Sequence, residues 1–469
     1  MVKIINPIKL GGKEVLPIIE GGKGIGVSNG SSAGSFAAAN AIGTFSGVCA
    51  EAIDENGKSI ELKYSAKNRR DKHEEWVAYS VNGGISQAKI AHDISKGSGG
   101  LHINILWEMG SAQRILHGIM EKVSGFITGI TCGAGMPFKL ANIAAKYNVH
   151  YYPIVSSVRA FNVLWKRSYY KFSELLGGVV YEDPWLAGGH NGITNREDPL
   201  VKEAPIERLL SIRRSMNEYG LSDKPIIMAG GIWCLNELQH ITDNNELAPI
   251  AFQFGTRPLL TKESPIPCSW KKKLLTIKQG DVSINRFSPT GFYASMVHNK
   301  FLDKLIQRSK RQIEFSKLPT KKMTVPFNTG HTGNERSIVY ISDKDNIEMQ
   351  KWYSSGFNVA MKTPDSTLVF TTPNEKREIV RDQINCVGCL GQCRFSNWRD
   401  AEPYTTNIKP DPRSFCISKT LREIIAYGDV ENQLMFAGHN VYRFANDPFY
   451  KNNFIPTVKQ LVDRIIEGM

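Results

Sequence analysis

The chain has 469 residues, of which 41% are hydrophobic, and carries a formal net charge of +13 at neutral pH. A single compact domain of about 250 residues would leave a large remainder, so we expect a second unit of about 150 residues. No apolar stretch reaches transmembrane length, and the first six residues lack a signal-peptide core. These features predict a globular protein without membrane segments, with the cytoplasm as its expected location.

Eight short, mostly apolar runs occupy the first part of the chain, and several of them end in glycine. They cover residues 16–20, 43–50, 102–107, 125–131, 151–157, 177–182, 225–230 and 248–254. Such runs are typical of strands that are buried on both faces. Helix-length segments lie between most of them, at 32–41, 111–122, 138–147, 206–219 and 235–241. This pattern predicts an α/β protein with a (β/α)8 TIM barrel, and a doubly wound open sheet is the main alternative.

Glycines after the seventh and eighth runs favour the barrel. Gly230-Gly231 and Gly255-Thr256 follow those runs directly, where barrels commonly bind a phosphate group through backbone N–H groups. An open dinucleotide-binding sheet would instead need its glycine fingerprint after the first strand. The glycine-rich stretch that begins at Gly21 matches neither that fingerprint nor a P-loop.

A histidine between glycines follows the sixth run. The segment Ala187-Gly188-Gly189-His190 stands where a strand would end at the barrel mouth. Glycines there allow a ligand close to the backbone, and an imidazole can exchange a proton near neutral pH. A tight structural turn would explain the same residues.

Five glycine-containing motifs occur in the chain in an order that resembles the order found in a known family. They begin at Gly21, Gly133, Ala187, Ala229 and Gln253, and read GGKG, GAGMP, AGGH, AGG and QFGT. Together they resemble the nitronate monooxygenase family of FMN-dependent β/α barrels, which also contains flavin-dependent enoyl reductases. The resemblance covers roughly residues 15–300.

The resemblance implies a role for each matching residue. Gly230, Gly231, Gln253, Gly255 and Thr256 would hold the FMN phosphate, and Asn104 would hydrogen-bond the flavin. Gly22, Gly188 and Gly189 would lie close to the cofactor, and His190 would be the catalytic base or proton donor. Lys23 stands where the family usually has methionine, so we expect an ammonium beside the flavin that favours an anionic reduced ring.

Three functions remain open at this stage. The first is oxidation of alkyl nitronates with O2, in which the substrate is a small molecule. The second is reduction of acyl-CoA or acyl-carrier thioesters by NAD(P)H through the flavin. The third is not an enzymatic function: the barrel would be non-catalytic, and a C-terminal unit stabilised by a bound metal would bind a partner.

Positive charge is concentrated in residues 271–273 and 304–322. A solvated surface explains such a run, and attraction of an acidic carrier protein or an electron-transfer partner is the sharper hypothesis. No nucleic-acid-binding module accompanies the charge, so we expect no nucleic-acid partner.

Changes in sequence pattern suggest the domain boundaries. We predict an FMN-binding barrel domain at 1–318, a linker at 319–335 and a smaller C-terminal α+β unit at 336–469. The polar segment 55–75 is expected to be an insertion near the barrel mouth. In the last unit, 337–341 and 366–371 are predicted strands, and 421–426 and 457–466 are predicted helices.

Four of the eight cysteines cluster in the C-terminal unit: Cys386, Cys389, Cys393 and Cys416. Closely spaced cysteines in a cytosolic chain indicate a metal site more readily than disulfides. The first three resemble part of an iron–sulfur motif in barrel reductases, which would imply a [4Fe–4S] cluster able to exchange electrons with FMN. A structural zinc ion fits the same spacing, and free buried thiols are the third alternative.

Overall fold

The structure is a computed structural model that describes residues 6–194, 196–332, 335–399 and 409–468. Eight parallel strands form a closed barrel. In chain order they are β1 (Ile18–Glu20), β2 (Ile42–Ser46), β3 (Gly100–Leu106), β4 (Gly129–Gly133), β5 (His150–Val155), β6 (Val179–Glu182), β7 (Ile226–Ala229) and β8 (Ile250–Phe254). Because β8 pairs with β1 and closes the ring, the predicted barrel is confirmed and the open sheet is wrong.

The predicted strands overlap the observed ones with small shifts. The largest shift is at β4, which begins at Gly129, whereas the apolar run begins at residue 125. The reason is local, since Ser124–Phe126 forms a short 3-10 turn before the strand.

Helices surround the barrel between the strands. They are Gly30–Ala38, Arg69–Ser95, Ala112–Val123, Leu140–Tyr147, Val158–Arg167, Pro205–Glu218 and Gln239–Thr242, followed by Cys268–Leu274 and Lys300–Lys310. Shorter 3-10 turns lie at Tyr169–Leu175, Leu235–Leu238, Asn245–Leu247 and Arg257–Leu260.

The longest helix, Arg69–Ser95, begins inside the segment expected to be an insertion. The Asn68 side chain accepts a hydrogen bond from the backbone N–H of Asp71 and caps its start. This helix packs closely on Gly30–Ala38, because a Cβ atom on Gly30 would lie only 2.3 Å from the carbonyl oxygen of Gln87. The segment therefore contributes a covering layer of the barrel, and residues 61–68 before it have no regular structure.

The barrel interior changes from apolar to polar towards the mouth. Lower in the barrel, the interior cluster includes Ile19, Ile42, Tyr152, Val180 and Ala251. Side chains two residues apart on a strand point to the same face. Glu182 and Gln253 therefore follow Val180 and Ala251 on the inner face, one layer nearer the carboxyl ends of the strands.

The remaining elements cover the two ends of the barrel. The hairpin Ile8–Leu10 and Lys13–Val15 packs against the lower interior cluster. Beyond the barrel follow Val282–Asn285, Ala294–Val297, Gln312–Glu314, Val325–Thr332, Glu335–Ile341, Val359–Lys362, Thr367–Thr371, Gln392–Cys393 and Trp398–Arg399 as strands. The helices there are Asp343–Ser354, Pro373–Ile384, Ile417–Tyr427, Arg443–Asn446 and Val458–Glu467, with 3-10 turns at His439–Tyr442 and Pro448–Asn453.

The C-terminal segments belong to two different cores. Ile313, Ile341, Leu368 and Phe370 share a small core with neighbouring strands and a helix. Residues of the helices Ile417–Tyr427 and Val458–Glu467 are instead buried in the large core that surrounds the barrel. Part of the predicted second unit therefore packs as an extension of the barrel layer.

The interval predicted as a linker contains regular structure. Val325–Thr332 pairs antiparallel with Glu335–Ile341, with Asn328 opposite Ile338. Several residues of the predicted domains lie outside the described part of the chain, namely 1–5, 195, 333–334, 400–408 and 469. The division into domains stays a prediction.

Much of the predicted basic surface is used within the fold. Lys271 is buried and donates to the carbonyl oxygen of Ser264. Lys304 pairs with Glu378, and Arg308 is buried against the carbonyl oxygen of Pro412. Lys304 and Arg308 therefore attach later segments to the helix Lys300–Lys310.

Among the described helices, none combines the length and the apolar character that crossing a bilayer requires.

Candidate functional site

A cavity of about 910 Å³ opens at the carboxyl ends of the barrel strands. Its lining includes all eleven residues predicted to bind cofactor or act on substrate: Gly22, Lys23, Asn104, Gly188, Gly189, His190, Gly230, Gly231, Gln253, Gly255 and Thr256. The fold thus brings together residues separated by more than two hundred positions in the sequence. Their individual roles stay predictions.

The loops after β7 and β8 leave backbone groups facing the cavity. Gly230 and Gly231 have φ angles of +93° and +72°, in the left-handed region that favours glycine. A Cβ atom on Gly231 would lie 2.6 Å from Leu186 Cδ1, whereas one on Gly255 would meet no protein atom within 4 Å. Gly255 therefore borders open space, as a close approach between the backbone and a phosphate group requires.

The opposite side of the cavity is formed by Gly22 and Asn104. A Cβ atom on Gly22 would lie 2.2 Å from Asn104 Cγ, so any larger residue would displace the asparagine. Asn104 stands in β3 with its residue surface 3% exposed. Its side-chain amide has no hydrogen-bond partner in the described part of the chain and borders the cavity.

Lys23 lines the cavity as predicted from the sequence, but its ammonium group is paired with a buried carboxylate. Its Nζ atom lies 2.5 Å from Glu20 Oε1, and the two side chains are 6% and 0% exposed. Glu20 also accepts hydrogen bonds from Ser32 Oγ and the backbone N–H of Thr44. The buried carboxylate compensates the lysine charge, so the expected electrostatic effect on a reduced flavin is largely removed.

His190 lies on a short strand, Gly189–His190, that pairs with Ala294–Val297 beside the barrel. Its Nε2 atom is 2.6 Å from Ser288 Oγ, and its ring packs against Phe436 at 5.3 Å between centroids. Burial lowers the pKa of His190 to about 4. The imidazole is therefore neutral at neutral pH, able to accept a proton but poorly suited to donate one as a cation.

Glu182 is an ionisable group of the cavity that was not predicted from the sequence, and the same is true of much of the outer wall. Glu182 is the last residue of β6 and borders the cavity. Burial, reinforced by the neighbouring Asp183, raises the pKa of Glu182 to about 8. A carboxyl group at the carboxyl end of a barrel strand could have been singled out from sequence, since that is where catalytic groups gather.

The outer wall comes from the far end of the chain. Ile417, Leu421 and Ile424 of the helix Ile417–Tyr427 line the cavity, as does Phe436. Gly438 donates its backbone N–H to Thr256 Oγ1 at 2.9 Å.

Two further contacts join this wall to the loops of the barrel. The side chain of Asn440 donates to the carbonyl oxygen of Gly231. Gly188 lies against Ala437 so closely that a Cβ atom would stand 2.5 Å from its carbonyl carbon. The stretch Ala-Gly-His-Asn that begins at Ala437 differs from the motif at Ala187 by one glycine, and this similarity is a sequence signal that could have drawn attention to the wall.

The four clustered cysteines lie beside the cavity. Cys386, Cys389 and Cys393 are buried, Cys416 is half-buried, and Cys389 borders the cavity itself. Burial and the other thiols raise the pKa of Cys389 well above its ordinary value, and burial raises the pKa of Cys416 to about 12. Among the described residues, no three His, Cys, Asp or Glu side chains are arranged to hold a single metal ion.

The loop that carries the cysteines docks on the barrel. The N–H of Gly110 donates to the carbonyl oxygen of Cys389, and the N–H of Gly391 donates to that of Glu108. His73 Nδ1 lies 3.0 Å from the carbonyl oxygen of Val387. The loop is therefore held at the edge of the barrel mouth.

Comparison with solved structures supports the fold over almost the whole chain. FabK from Thermotoga maritima superposes with a TM-score of 0.51 at 15% sequence identity, covering 96% of this chain and 91% of that chain. A nitroalkane oxidase from Streptomyces ansochromogenes superposes with a TM-score of 0.52 at 12% identity, covering 97% and 95%. No protein-family model and no curated protein sequence matches the chain. At these identities, the similarity establishes the barrel fold.

Proposed function

We propose that the protein is an FMN-dependent oxidoreductase that reduces the C=C bond of an apolar, α,β-unsaturated thioester with electrons from NAD(P)H. Two of its full-length structural neighbours are a flavin enoyl reductase and a nitroalkane oxidase, which supports a flavin reaction in this cavity. The choice between the two reactions rests on the lining of the cavity.

The residues at the mouth fit FMN. The left-handed turn at Gly230-Gly231 and the open space beside Gly255 provide a backbone cradle of the size that a phosphate needs. Asn104 has a side-chain amide free for the flavin ring, and Gly22 leaves room for that amide. When bound, FMN would supply the hydride chemistry, while these residues bind and orient it.

The observation that carries the proposed substrate class is the apolar outer wall. The helix Ile417–Tyr427 and the segment around Phe436 cover the cavity with aliphatic and aromatic side chains. Ligand sites of drug-sized molecules measure about 300 to 1,000 Å³. A cavity of about 910 Å³ can therefore accommodate FMN together with part of an elongated apolar substrate.

The basic side chains of the lining argue against a nitronate substrate. A nitronate is an anion, and a buried anion needs a cation or several hydrogen-bond donors. Along the described lining the cations are Lys23, paired with Glu20, and Arg257, which donates to the carbonyl oxygen of Trp233 and to Tyr450. Both charges are already satisfied within the protein, so a neutral substrate fits better.

The experiment separates the two flavin reactions. Protein reconstituted with FMN is mixed anaerobically with NADH, with NADPH and with a propyl nitronate, and the flavin absorbance is followed. We expect reduction by a nicotinamide, followed by reoxidation on addition of a medium-chain 2-enoyl thioester. Reduction by the nitronate alone, without reoxidation by the thioester, would establish nitronate oxidation instead.

The four clustered cysteines were predicted to bind either a zinc ion or a [4Fe–4S] cluster. Among the described residues, no three donors are arranged around one point, so the arrangement gives direct support neither to a zinc ion nor to a cluster. A cluster is bound by four separate thiolates. Ser396 Oγ donates to Cys386 Sγ at 2.8 Å, a type of contact that also tunes cluster thiolates. A [4Fe–4S] cluster therefore stays a proposal, and no step of the reaction depends on it.

A further inference from the structure

Glu182 has a position shared by no other carboxyl group of the cavity. It ends β6 and pairs across the sheet with Ala229, the residue before the glycine pair at Gly230. Since Val180 points into the barrel, Glu182 points the same way, into the cavity floor. It therefore lies in the same layer as Gln253, beneath the space assigned to the ligand.

Glu182 also lacks the partners that its neighbour has. Asp183 accepts hydrogen bonds from the N–H groups of Trp185 and Leu186 and from the Tyr181 hydroxyl, which shows a structural role. In the part of the chain that the structure describes, the side-chain carboxyl group of Glu182 has neither a hydrogen bond nor an ion pair. An enclosed polar group without a protein partner is costly unless a ligand provides one.

The protonation states of His190 and Glu182 at neutral pH favour Glu182 as the group that can donate a proton. At neutral pH His190 is neutral, because burial holds its pKa at about 4, and its Nε2 atom is engaged with Ser288. Burial and Asp183 instead raise the pKa of Glu182 to about 8, so this carboxyl group keeps its proton. The other titratable side chains on the described lining are Lys23, Glu108, Arg257, Tyr293 and Cys389.

We propose that Glu182 is the proton donor of the reaction, a catalytic residue that touches the substrate and protonates the α-carbon of its C=C bond. This inference rests on the proposed enoyl reduction. The hydride equivalent, with its two electrons, reaches the β-carbon and derives from NAD(P)H through FMN. The O–H bond of Glu182 breaks as the α-carbon–hydrogen bond forms, and the resulting carboxylate regains a proton from water.

The test is a single-turnover reaction of the FMN-loaded protein. The flavin is reduced with dithionite under anaerobic conditions, and a 2-methyl-2-enoyl N-acetylcysteamine thioester is added. For Glu182→Gln we expect reoxidation about 10² times slower than for the wild type, since general acid catalysis contributes at least that much. Glu182→Asp should recover part of the rate, because it restores a carboxyl group.

The stereochemistry at the α-carbon separates a proton donor from a structural residue. The wild type should give one enantiomer of the 2-methyl product, and Glu182→Gln a mixture, because water then protonates without a fixed face. The control is His190→Gln, which should keep a single enantiomer. A stereochemically pure product from Glu182→Gln at the wild-type rate, or a mixture from His190→Gln alone, would overturn the assignment. A wild type that never reoxidises with the thioester would instead refute the proposed function.

A second readout does not depend on turnover. Infrared spectra of the purified protein without added FMN should contain a protonated-carboxyl band that is missing in Glu182→Gln. Raising the pH through about 8 should remove that band, since the carboxyl group then ionises. Identical spectra of the wild type and Glu182→Gln at pH 6 would contradict a protonated Glu182.

Discussion

Replacement of Gly255 by alanine tests whether a phosphate group sits at the end of β8. The new Cβ atom would meet no protein atom within 4 Å, and the backbone has no positive φ angle there, so the cofactor-free fold should tolerate it. Its free energy of unfolding should change by no more than about 0.5 kcal/mol. The methyl group would, however, occupy the space in which a phosphate oxygen approaches the backbone.

The expected loss in FMN affinity follows from one charge-assisted hydrogen bond. Such a bond contributes about 1.5–3 kcal/mol, so the Kd for FMN should rise roughly 10- to 150-fold. Quenching of flavin fluorescence measures Kd, and thermal unfolding without FMN reports on the fold. Gly125→Ala is the matched control, because its Cβ atom also meets no atom within 4 Å but lies outside the cavity lining. If Gly255→Ala binds FMN as the wild type does, the phosphate is not bound there.

Four further predictions concern the other parts of the site. His190→Ala should keep FMN bound and slow turnover much less than Glu182→Gln does in stopped-flow assays, and a loss of about 10²-fold would return the proton transfer to His190. The folded-state pKa of His190 lies below that of the unfolded chain, so stability should fall as the pH drops from about 6.5 to about 4; His190→Gln should flatten this part of a urea-denaturation profile, and an equal slope would refute it. Gly188→Ala should lower stability by about 1–3 kcal/mol, because its Cβ atom would lie 2.5 Å from the Ala437 carbonyl carbon; an unchanged melting temperature would disprove that contact. Cys389→Ser should reduce iron content relative to the wild type, and equal metal content would exclude cysteine ligation.

The barrel was predictable because its strands carry a strong local signal. Short β-branched runs such as Ile226–Ala229 and Ile250–Phe254 need two buried faces, which a parallel barrel provides. The glycines after them follow from local geometry as well, since Gly230 and Gly231 need positive φ angles.

The helix Arg69–Ser95 was missed because its buried face is not apolar in the usual sense. That face includes His73, Ser80, Gly83 and Gln87, and Gln87 hydrogen-bonds to the backbone of Gly30 and Glu51. Small and polar residues allow two helices to pack closely, but they leave no apolar stripe in the sequence.

The candidate site was only partly predictable for a different reason. The motif residues from Gly22 to Thr256 carry their own local signals, whereas the pairing of Lys23 with Glu20 depends on tertiary contacts. The wall around Phe436 is joined to the barrel by contacts between residues far apart in sequence, such as Gly438 with Thr256. Neither periodicity nor composition encodes which distant segment closes a cavity.

The origin of that wall has a consequence for the biogenesis of the protein. All eight barrel strands leave the ribosome long before residues 417–441 are made. The barrel of a nascent chain can therefore form while its cavity is still open to water. If the protein binds FMN as proposed, firm retention of the cofactor should then await synthesis of these residues. A nascent chain arrested near residue 410 should therefore bind FMN more weakly than a chain that includes residues 417–441.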